Sequence, residues 1–368
     1  MLITEGNTSP DVGSIEVGLY FDLRNPEPWR QRPSRVYGFT IELCEEAERL
    51  GAPSAWFTEH HLFDDGYLTS PLTMAAAVAA RTQRIRLGTA VMVAPLHNAV
   101  EIAEQATVVD LVSDGRLELG LGAGYRIPEF ELFGLSHEKR FSRTEDTVRR
   151  LRELWRSDSF RPLPVQDPVP IWLGYQSARG ARRVGRMGER LLSSDASLWE
   201  PYSQGLAEGG HPASVARMAG GIHAWASDDP DRDWPVVSKH VAYQFDSYRR
   251  HMVEGTGAPI PKPVDVDRIV NSPRPGPMGT FIYGTPEYVA EQIRTHTMGA
   301  PVHTVYLWAS IAGMPEAMVV RNVETIYNRL APILHQRPSQ AGPGVSPVES
   351  RSNRTPVGTE LASESSDA

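Results

Sequence analysis

One cysteine, Cys44, stands among 368 residues, so no disulfide can form within the chain, and small folds held by disulfide frameworks are excluded. Long apolar runs are also missing. None approaches the roughly 20 residues a helix needs to cross a bilayer. The opening stretch, residues 1–14, lacks the basic-then-apolar order of a signal peptide. A reducing, cytoplasmic setting away from any membrane is therefore expected. Basic excess is absent too: 37 Lys and Arg face 45 Asp and Glu, a net charge of -8. With no basic stripe, nucleic acid is not expected as a partner. There is no Gly-x-Ser-x-Gly elbow of a serine hydrolase. No cluster of His, Cys and carboxylates has metal-ligand spacing, so no metal is expected.

What is present is alternation. The length allows one α/β barrel or two smaller domains. Apolar patterning predicts strands at 15–20, 54–58, 85–93, 116–121, 168–173, 189–194, 221–226 and 302–308. Helical spacing falls between them, at 39–50, 72–81, 99–111, 144–155, 178–187, 213–219, 236–252, 287–297 and 315–330. Strand and helix alternate about eight times, which fits a parallel sheet closed into a (β/α)8 TIM barrel. The expected organisation is an arm at 1–14, a barrel domain at 15–335 with insertion loops, and a disordered tail at 336–368, where large apolar residues nearly vanish. Residues 195–210 and the Pro- and Gly-dense 254–277 read as loops shaping a pocket. Helix 72–81 is nearly all Ala on its apolar face. Small residues there allow close approach to a sheet or to a second subunit.

Chemistry concentrates at the carboxyl ends of the predicted strands, where parallel α/β folds bind ligands. Ala55-Trp56-Phe57-Thr58-Glu59-His60-His61 is an apolar strand that ends in a carboxylate and two imidazoles. Imidazoles titrate near neutrality and suit proton transfer. Neighbouring strand residues point to opposite faces, so His60 and His61 should not reach one ion. After the fourth strand comes Gly120-Leu121-Gly122-Ala123-Gly124. Its spacing misses the dinucleotide fingerprint, because Ile127 stands near the place of the third glycine. Close approach of backbone to a bulky ligand is the favoured reading. After the fifth strand, 174–180 leads into an Arg-rich helix. Backbone amides at that helix start, the Ser177 hydroxyl, and Arg179, Arg182 and Arg183 suit a phosphate. An ordinary capped helix with solvated arginines reads equally well there.

Several ordered stretches together resemble the bacterial luciferase-like monooxygenases. They are Ala47-Glu48-Arg49-Leu50-Gly51, Trp56 to His61, Ile85-Arg86-Leu87-Gly88-Thr89-Ala90-Val91, and the run from Asp110-Leu111-Val112-Ser113-Asp114-Gly115 to Gly124-Tyr125. Residues 170–188 and 284–297 follow the same pattern, so the resemblance covers roughly 15–335. It implies a barrel that binds flavin at the carboxyl face of its strands. It implies a catalytic role for His60, with Glu59 beside it. It implies a cis peptide at Ala90–Val91 against which the flavin ring packs. It places the cofactor along Gly122, Ala123, Gly124 and Tyr125, with its phosphate at Gln176, Ser177 and Gly180. The implied activity is insertion of one oxygen atom from O2 into a small organic substrate, using reduced FMN from a separate flavin reductase. Relatives also imply a homodimer through helices 72–81 and 99–111. Two rivals remain: a coenzyme F420-dependent hydride-transfer enzyme, and a barrel that binds flavin without turnover. The reactive cysteine of the luciferase catalytic subunit is Gly122 here, and the basic residue after it is Ala123. Phosphate charge is therefore expected to be met by Arg179 or Arg183.

Overall fold

The computed structural model describes residues 14–273 and 278–336. Apart from Ser14 and Gln336, the expected arm and tail lie outside the described residues. The strands are β1 (Glu16–Phe21), β2 (Ser54–Phe57), β3 (Arg86–Thr89), β4 (Met92–Val93), β5 (Leu117–Gly122), β6 (Ile171–Leu173), β7 (Arg190–Leu192), β8 (Met218–Gly221), β9 (Ala224–Ala226), β10 (Ile282–Gly284) and β11 (Val302–Trp308). All but β9 and β10 form one parallel sheet, which closes through β1 on β11 and β3 on β5. β3 and β4 are one barrel strand interrupted at Ala90–Val91, so the closed sheet is an eight-fold (β/α)8 barrel, as the alternation predicts.

The helices are α1 (Pro33–Arg49), α2 (Pro71–Ala79), α3 (Ala99–Val112), α4 (Ile127–Leu132), α5 (Arg140–Arg156), α6 (Ala178–Met187), α7 (Trp199–Glu208), α8 (Pro230–Val253), α9 (Val266–Ile269), α10 (Pro286–Thr297), α11 (Glu316–Thr325) and α12 (Ala331–His335). A π-helical turn, Ile326–Leu330, joins the last two. Their starts follow local chemistry. Asn98, Asp229 and Thr285 cap α3, α8 and α10 with side-chain oxygens. Ser70 sits at the start of α2 without making a capping bond, and Pro71 alone sets the turn there. Among the described residues, no helix is long and apolar enough to cross a membrane.

Helices cover the barrel outside, and side chains fill it inside, so β2 and β5 are buried along their whole length. The inner plug is aromatic. Trp56 stacks on Tyr306 at 5.1 Å and meets Trp172 edge-on at 6.0 Å. Their indole nitrogens donate to Ser54 Oγ (2.9 Å) and Glu118 Oε2 (2.6 Å). Above this plug, Tyr20, Ala90 and Val91 pack onto the same cluster and form the floor of a cavity at the strands' carboxyl face.

Four expectations need correcting. Residues 213–219 are not a helix but a 3-10 turn, Ala213–Val215, followed by β8. Local propensity favoured helix, but the barrel needs a strand between β7 and β11. A Cβ on Gly220 would stand 2.2 Å from the Ser194 amide, so only glycine lets the backbones meet there. The predicted strand 221–226 divides: Gly221 ends β8, and β9 pairs with the unpredicted β10. The supposed loop 195–210 contains α7, whose residues Gly205 and Gly209 let it lie against the backbone of α6 at Arg182 and Arg186. The 254–277 segment includes the short helix α9.

Candidate active site

The cavity has a volume of about 660 Å³. It brings together His60, Glu59, Ala90, Val91 and Gly122 to Tyr125 with Gln176 and Ser177. Gly180 is not on its wall. It lies buried beneath Tyr175, and its amide donates to Ser177 Oγ at 3.1 Å.

His60 stands where β2 gives way to loop and is nearly buried. Its Nδ1 lies 2.8 Å from Glu129 Oε1. Burial would raise the Glu129 carboxyl, but the His60 hydrogen bond, the His61 amide and Arg126 outweigh it and hold it below the ordinary range. An ionised carboxylate only accepts, so Nδ1 carries the hydrogen, and Nε2 is left to face the cavity. Tyr125 Oη lies 3.3 Å from Nε2. This is the base-and-orienter arrangement that fixes a tautomer. Glu129 sits on α4, and the sequence reading assigned nothing between Tyr125 and Thr144. Pro128 in the first turn of α4 was the available signal. Arg126, also missed, is fully buried over the Phe63 ring at 4.6 Å. It donates to Glu129 Oε1 (3.2 Å), to the His61 carbonyl and to Glu254, the first residue after α8.

Glu59 has a different part. Its Oε1 accepts from His61 Nε2 (2.9 Å) and His97 Nε2 (2.7 Å), and its Oε2 from the Val93 amide (2.6 Å). Burial raises this carboxyl, and those three donors together bring it below its usual value. Both oxygens accept hydrogen bonds, and the Val93 bond ties the end of β2 to β4. His61 turns away from His60 toward Glu59 and Phe133, as strand alternation requires. Among the described residues no group of His, Cys, Asp or Glu could hold a metal.

The Ala90–Val91 peptide is cis. Val91 fills space that two glycines leave open: a Cβ on Gly122 would lie 2.4 Å from Val91 Cγ2, and one on Gly174 2.8 Å from Cγ1. A Cβ on Gly120 would lie 1.8 Å from the Thr89 carbonyl oxygen. Glycine is therefore required here by the protein's own backbone and by Val91, and Gly122 and Gly124 also line the cavity. Ala90 and Val91 present an apolar shelf to the cavity.

At one end of the cavity stand Ser177, Gln176, Arg140 and Phe141. Ser177 caps α6. The Gln176 amide is spent on the Leu192 carbonyl (2.8 Å) and the Ser193 hydroxyl (2.9 Å). The cation here is Arg140, in the first turn of α5, four residues before the predicted helix start. The expected arginines are paired or exposed, although Arg183 stands over the Phe141 ring at 5.8 Å. Arg183 is paired with Glu145, Arg182 and Arg186 with Glu208, and Arg179 is exposed off the cavity wall. Arg140, on this wall, keeps Nε without an acceptor and pairs with no carboxylate among the described residues. A cation left without its counter-charge fits a phosphate.

The other end is aromatic and hydroxylic. Tyr67 Oη lies 2.7 Å from Tyr248 Oη and 3.1 Å from Thr58 Oγ1, and the Tyr20 phenol faces the same hydroxyls. Burial pushes all three phenols upward, so they keep their protons. His223 stacks on Trp308 (4.4 Å, 5°), and burial lowers it to about 4. Behind the phenols, Arg24 is buried against Phe63, Tyr67 and Tyr248 and paired with Asp65 at 2.8 Å. Burial raises the Asp22 carboxyl beside it to about 6, despite Arg24.

A profile of the family described as luciferase-like monooxygenase matches residues 17–303. The oxygenase component of a flavin-dependent trigonelline monooxygenase from Acinetobacter baylyi is 29% identical over 160 residues, 39% of this chain and 44% of that protein. An F420-dependent glucose-6-phosphate dehydrogenase from Amycolatopsis mediterranei is 28% identical over 189 residues, 45% of this chain and 56% of that protein. The chain thus spans about half the length of these curated relatives. In fold, it is similar to the crystal structure of the monooxygenase RslO1 from Streptomyces bottropensis, with a TM-score of 0.73 at 20% identity, covering 87% of this chain and 99% of the other.

Proposed function

The chain belongs to the luciferase-like monooxygenase family, and on that premise we propose that it is the oxygenase of a two-component flavin system. A separate reductase supplies reduced FMN in a cytoplasmic setting, and one oxygen atom of O2 enters a small organic substrate. When bound, reduced FMN supplies the electrons that activate O2. The chain's own residues do the rest. The Ala90–Val91 shelf supports the ring. Arg140, Ser177 and the start of α6 hold the phosphate. His60, with its hydrogen fixed on Nδ1 by Glu129, offers Nε2 to take or return a proton in the cavity. The aromatic walls exclude water from the reacting atoms.

The observation that carries the reading is the His60–Glu129 pair aimed into a cavity with an anion-ready corner. FMN is preferred over F420 for an electrostatic reason. The F420 tail is a chain of carboxylates beyond its phosphate and calls for unpaired cations there. Arg182, Arg183 and Arg186 are already mated to carboxylates, which leaves Arg179 as the one arginine of α6 open to such a tail. Fluorescence titrations under anaerobic conditions test this: reduced FMN should bind at least tenfold more tightly than F420. Tighter F420 binding, with substrate oxidised in the absence of O2, would replace it with the hydride-transfer reading. A second copy of the chain is the proposed partner of α3, which exposes Val100, Val108, Leu111 and Val112. Sedimentation as a monomer at micromolar concentration would remove the dimer.

A further inference from the structure

We infer that the hydroxylic end of the cavity is a binding site for an uncharged, ring-shaped substrate bearing a carbonyl oxygen, selected by Tyr20, Tyr67 and Tyr248. This rests on the oxygenase reading for turnover, and on the cavity alone for binding.

Charge comes first. The phenols are protonated, and the His223 imidazole beside them is neutral at physiological pH. The charged groups stand behind this wall: Arg24 keeps Nη1 without a partner, but it lies off the cavity wall, against the rings of Tyr67 and Tyr248. Arg24 is tied to Asp65, and Asp22 accepts from Gln244 Nε2 at 2.6 Å. A carboxylate placed here would meet no available cation, and an ammonium no available carboxylate. Either would be desolvated without a partner.

Hydrogen bonding comes next. Thr58, Tyr20, Tyr67 and Tyr248 carry one hydroxyl hydrogen each. Among the described residues, two hydrogen bonds, of 3.1 and 2.7 Å, join three of them. Donor hydrogens are left over, and a carbonyl oxygen with two lone pairs takes up the surplus. The rings of Tyr67 and Tyr248 stand edge-on to His60, at 4.8 and 6.4 Å. An oxygen held by these hydroxyls puts its carbon skeleton within reach of the His60 face of the cavity.

Shape is third. The planes of His223, Trp308 and Tyr248 are nearly parallel, inclined to Trp308 by 5° and 16°. Flat walls bury more of a flat ring than of a chain that must be held straight at an entropic cost. Met252 and Met278 close this end with side chains that adapt to a ring's edge. The discrimination should be moderate. Two hydrogen bonds among the hydroxyls persist without a ligand, so a ligand lacking the oxygen leaves only the surplus donors unpaired.

Equilibrium dialysis with four probes of similar size tests the inference: 1-indanone, indane, indane-1-carboxylate and nonan-2-one, with and without oxidised FMN. 1-Indanone should bind at least tenfold more tightly than the other three, about 1.4 kcal/mol. In Tyr248→Phe its advantage over indane should drop below threefold, while the dissociation constants of indane and of FMN hold within twofold. Circular dichroism melting checks the fold, and if Tyr248→Phe is unfolded, Tyr67→Phe gives the same reading. Equal binding of 1-indanone and indane, tighter binding of the carboxylate, or equal binding of nonan-2-one would each overturn the inference. FMN titration is independent of these ligands. Loss of FMN binding with the ketone preference intact would defeat the oxygenase reading and leave this one standing.

Discussion

The two ends of the cavity solve opposite problems with similar materials. Each has an arginine, half-buried at one end and buried at the other. At the phosphate corner, Arg140 pairs with no carboxylate among the described residues and keeps Nε without an acceptor. At the hydroxylic end, Arg24 is paired with Asp65 and screened from the cavity by aromatic rings. One arginine waits for an anion, and the other has been given its own. A buried cation advertises a ligand only when its counter-charge is missing from the chain. His60 is held by its own carboxylate and packs edge-on against Tyr67 and Tyr248, yet it is independent of the phosphate corner.

That independence can be broken most sharply at His60. His60→Ala should lower turnover by about 10²–10⁴-fold, the range for general acid–base catalysis, with FMN affinity held within about tenfold. Glu129→Gln keeps the side-chain shape but not its charge and should fall between wild type and His60→Ala. Rates at saturating reduced FMN measure both. Equal loss of rate and FMN affinity would show that the centre and the phosphate corner are one unit.

A smaller effect is expected at Arg140. Arg140→Ala should weaken FMN binding by about 1.5–3 kcal/mol, as for a lost hydrogen bond to a charged group, and leave the saturated rate nearly unchanged. Ser177→Ala removes a helix cap and should cost about 1 kcal/mol of stability, with a smaller change in affinity than Arg140→Ala. Flavin titration and thermal melts separate the two. An Arg140→Ala protein with wild-type affinity would make the two arginines alike after all.

The smallest effect is predicted for Asp22, behind the hydroxylic end. The folded chain holds this proton up to about pH 6, whereas an ordinary Asp carboxyl has a value of 3.8. Folding is therefore favoured by Asp22 at low pH, loses that help as pH rises from about 4 to 6, and carries a constant penalty above it. Asp22→Asn removes the penalty. Its stability relative to wild type should rise between pH 5 and pH 8 by roughly 1 kcal/mol, read as a change in Tm difference. A difference independent of pH would mean that the fold leaves the Asp22 carboxyl at its ordinary value.

The parts legible in sequence are those where chemistry follows a strong local pattern. The end of β2, the glycine run after β5 and the turn before α6 each sit at a strand terminus that periodicity reveals, and the structure gathers all three around one cavity. Glu129 and Arg140 were missed because α4 is a single short element and α5 begins before its apolar stripe does. Tyr20, Tyr67 and Tyr248 could not have been grouped by inspection. They lie on β1, on a loop and on α8, and only closure of the barrel brings their hydroxyls together. β8 was misread because its helix-favouring Met218 and Ala219 answer to neighbours far away in the chain.

The contact between Val91 and Gly122 has a consequence for how relatives of this chain diverge. The luciferase catalytic subunit, which this sequence resembles, carries a cysteine at the position of Gly122. Here its Cβ alone would stand 2.4 Å from Val91 Cγ2. Positions 91 and 122 therefore form one unit of inheritance: a lineage can gain a side chain at 122 only after trimming or turning aside the one at 91. An ancestor that kept Val91 and already had the cysteine at position 122 would have passed through a misfit. In aligned sequences the two positions should therefore change as a pair, and the thiol should accompany a smaller neighbour.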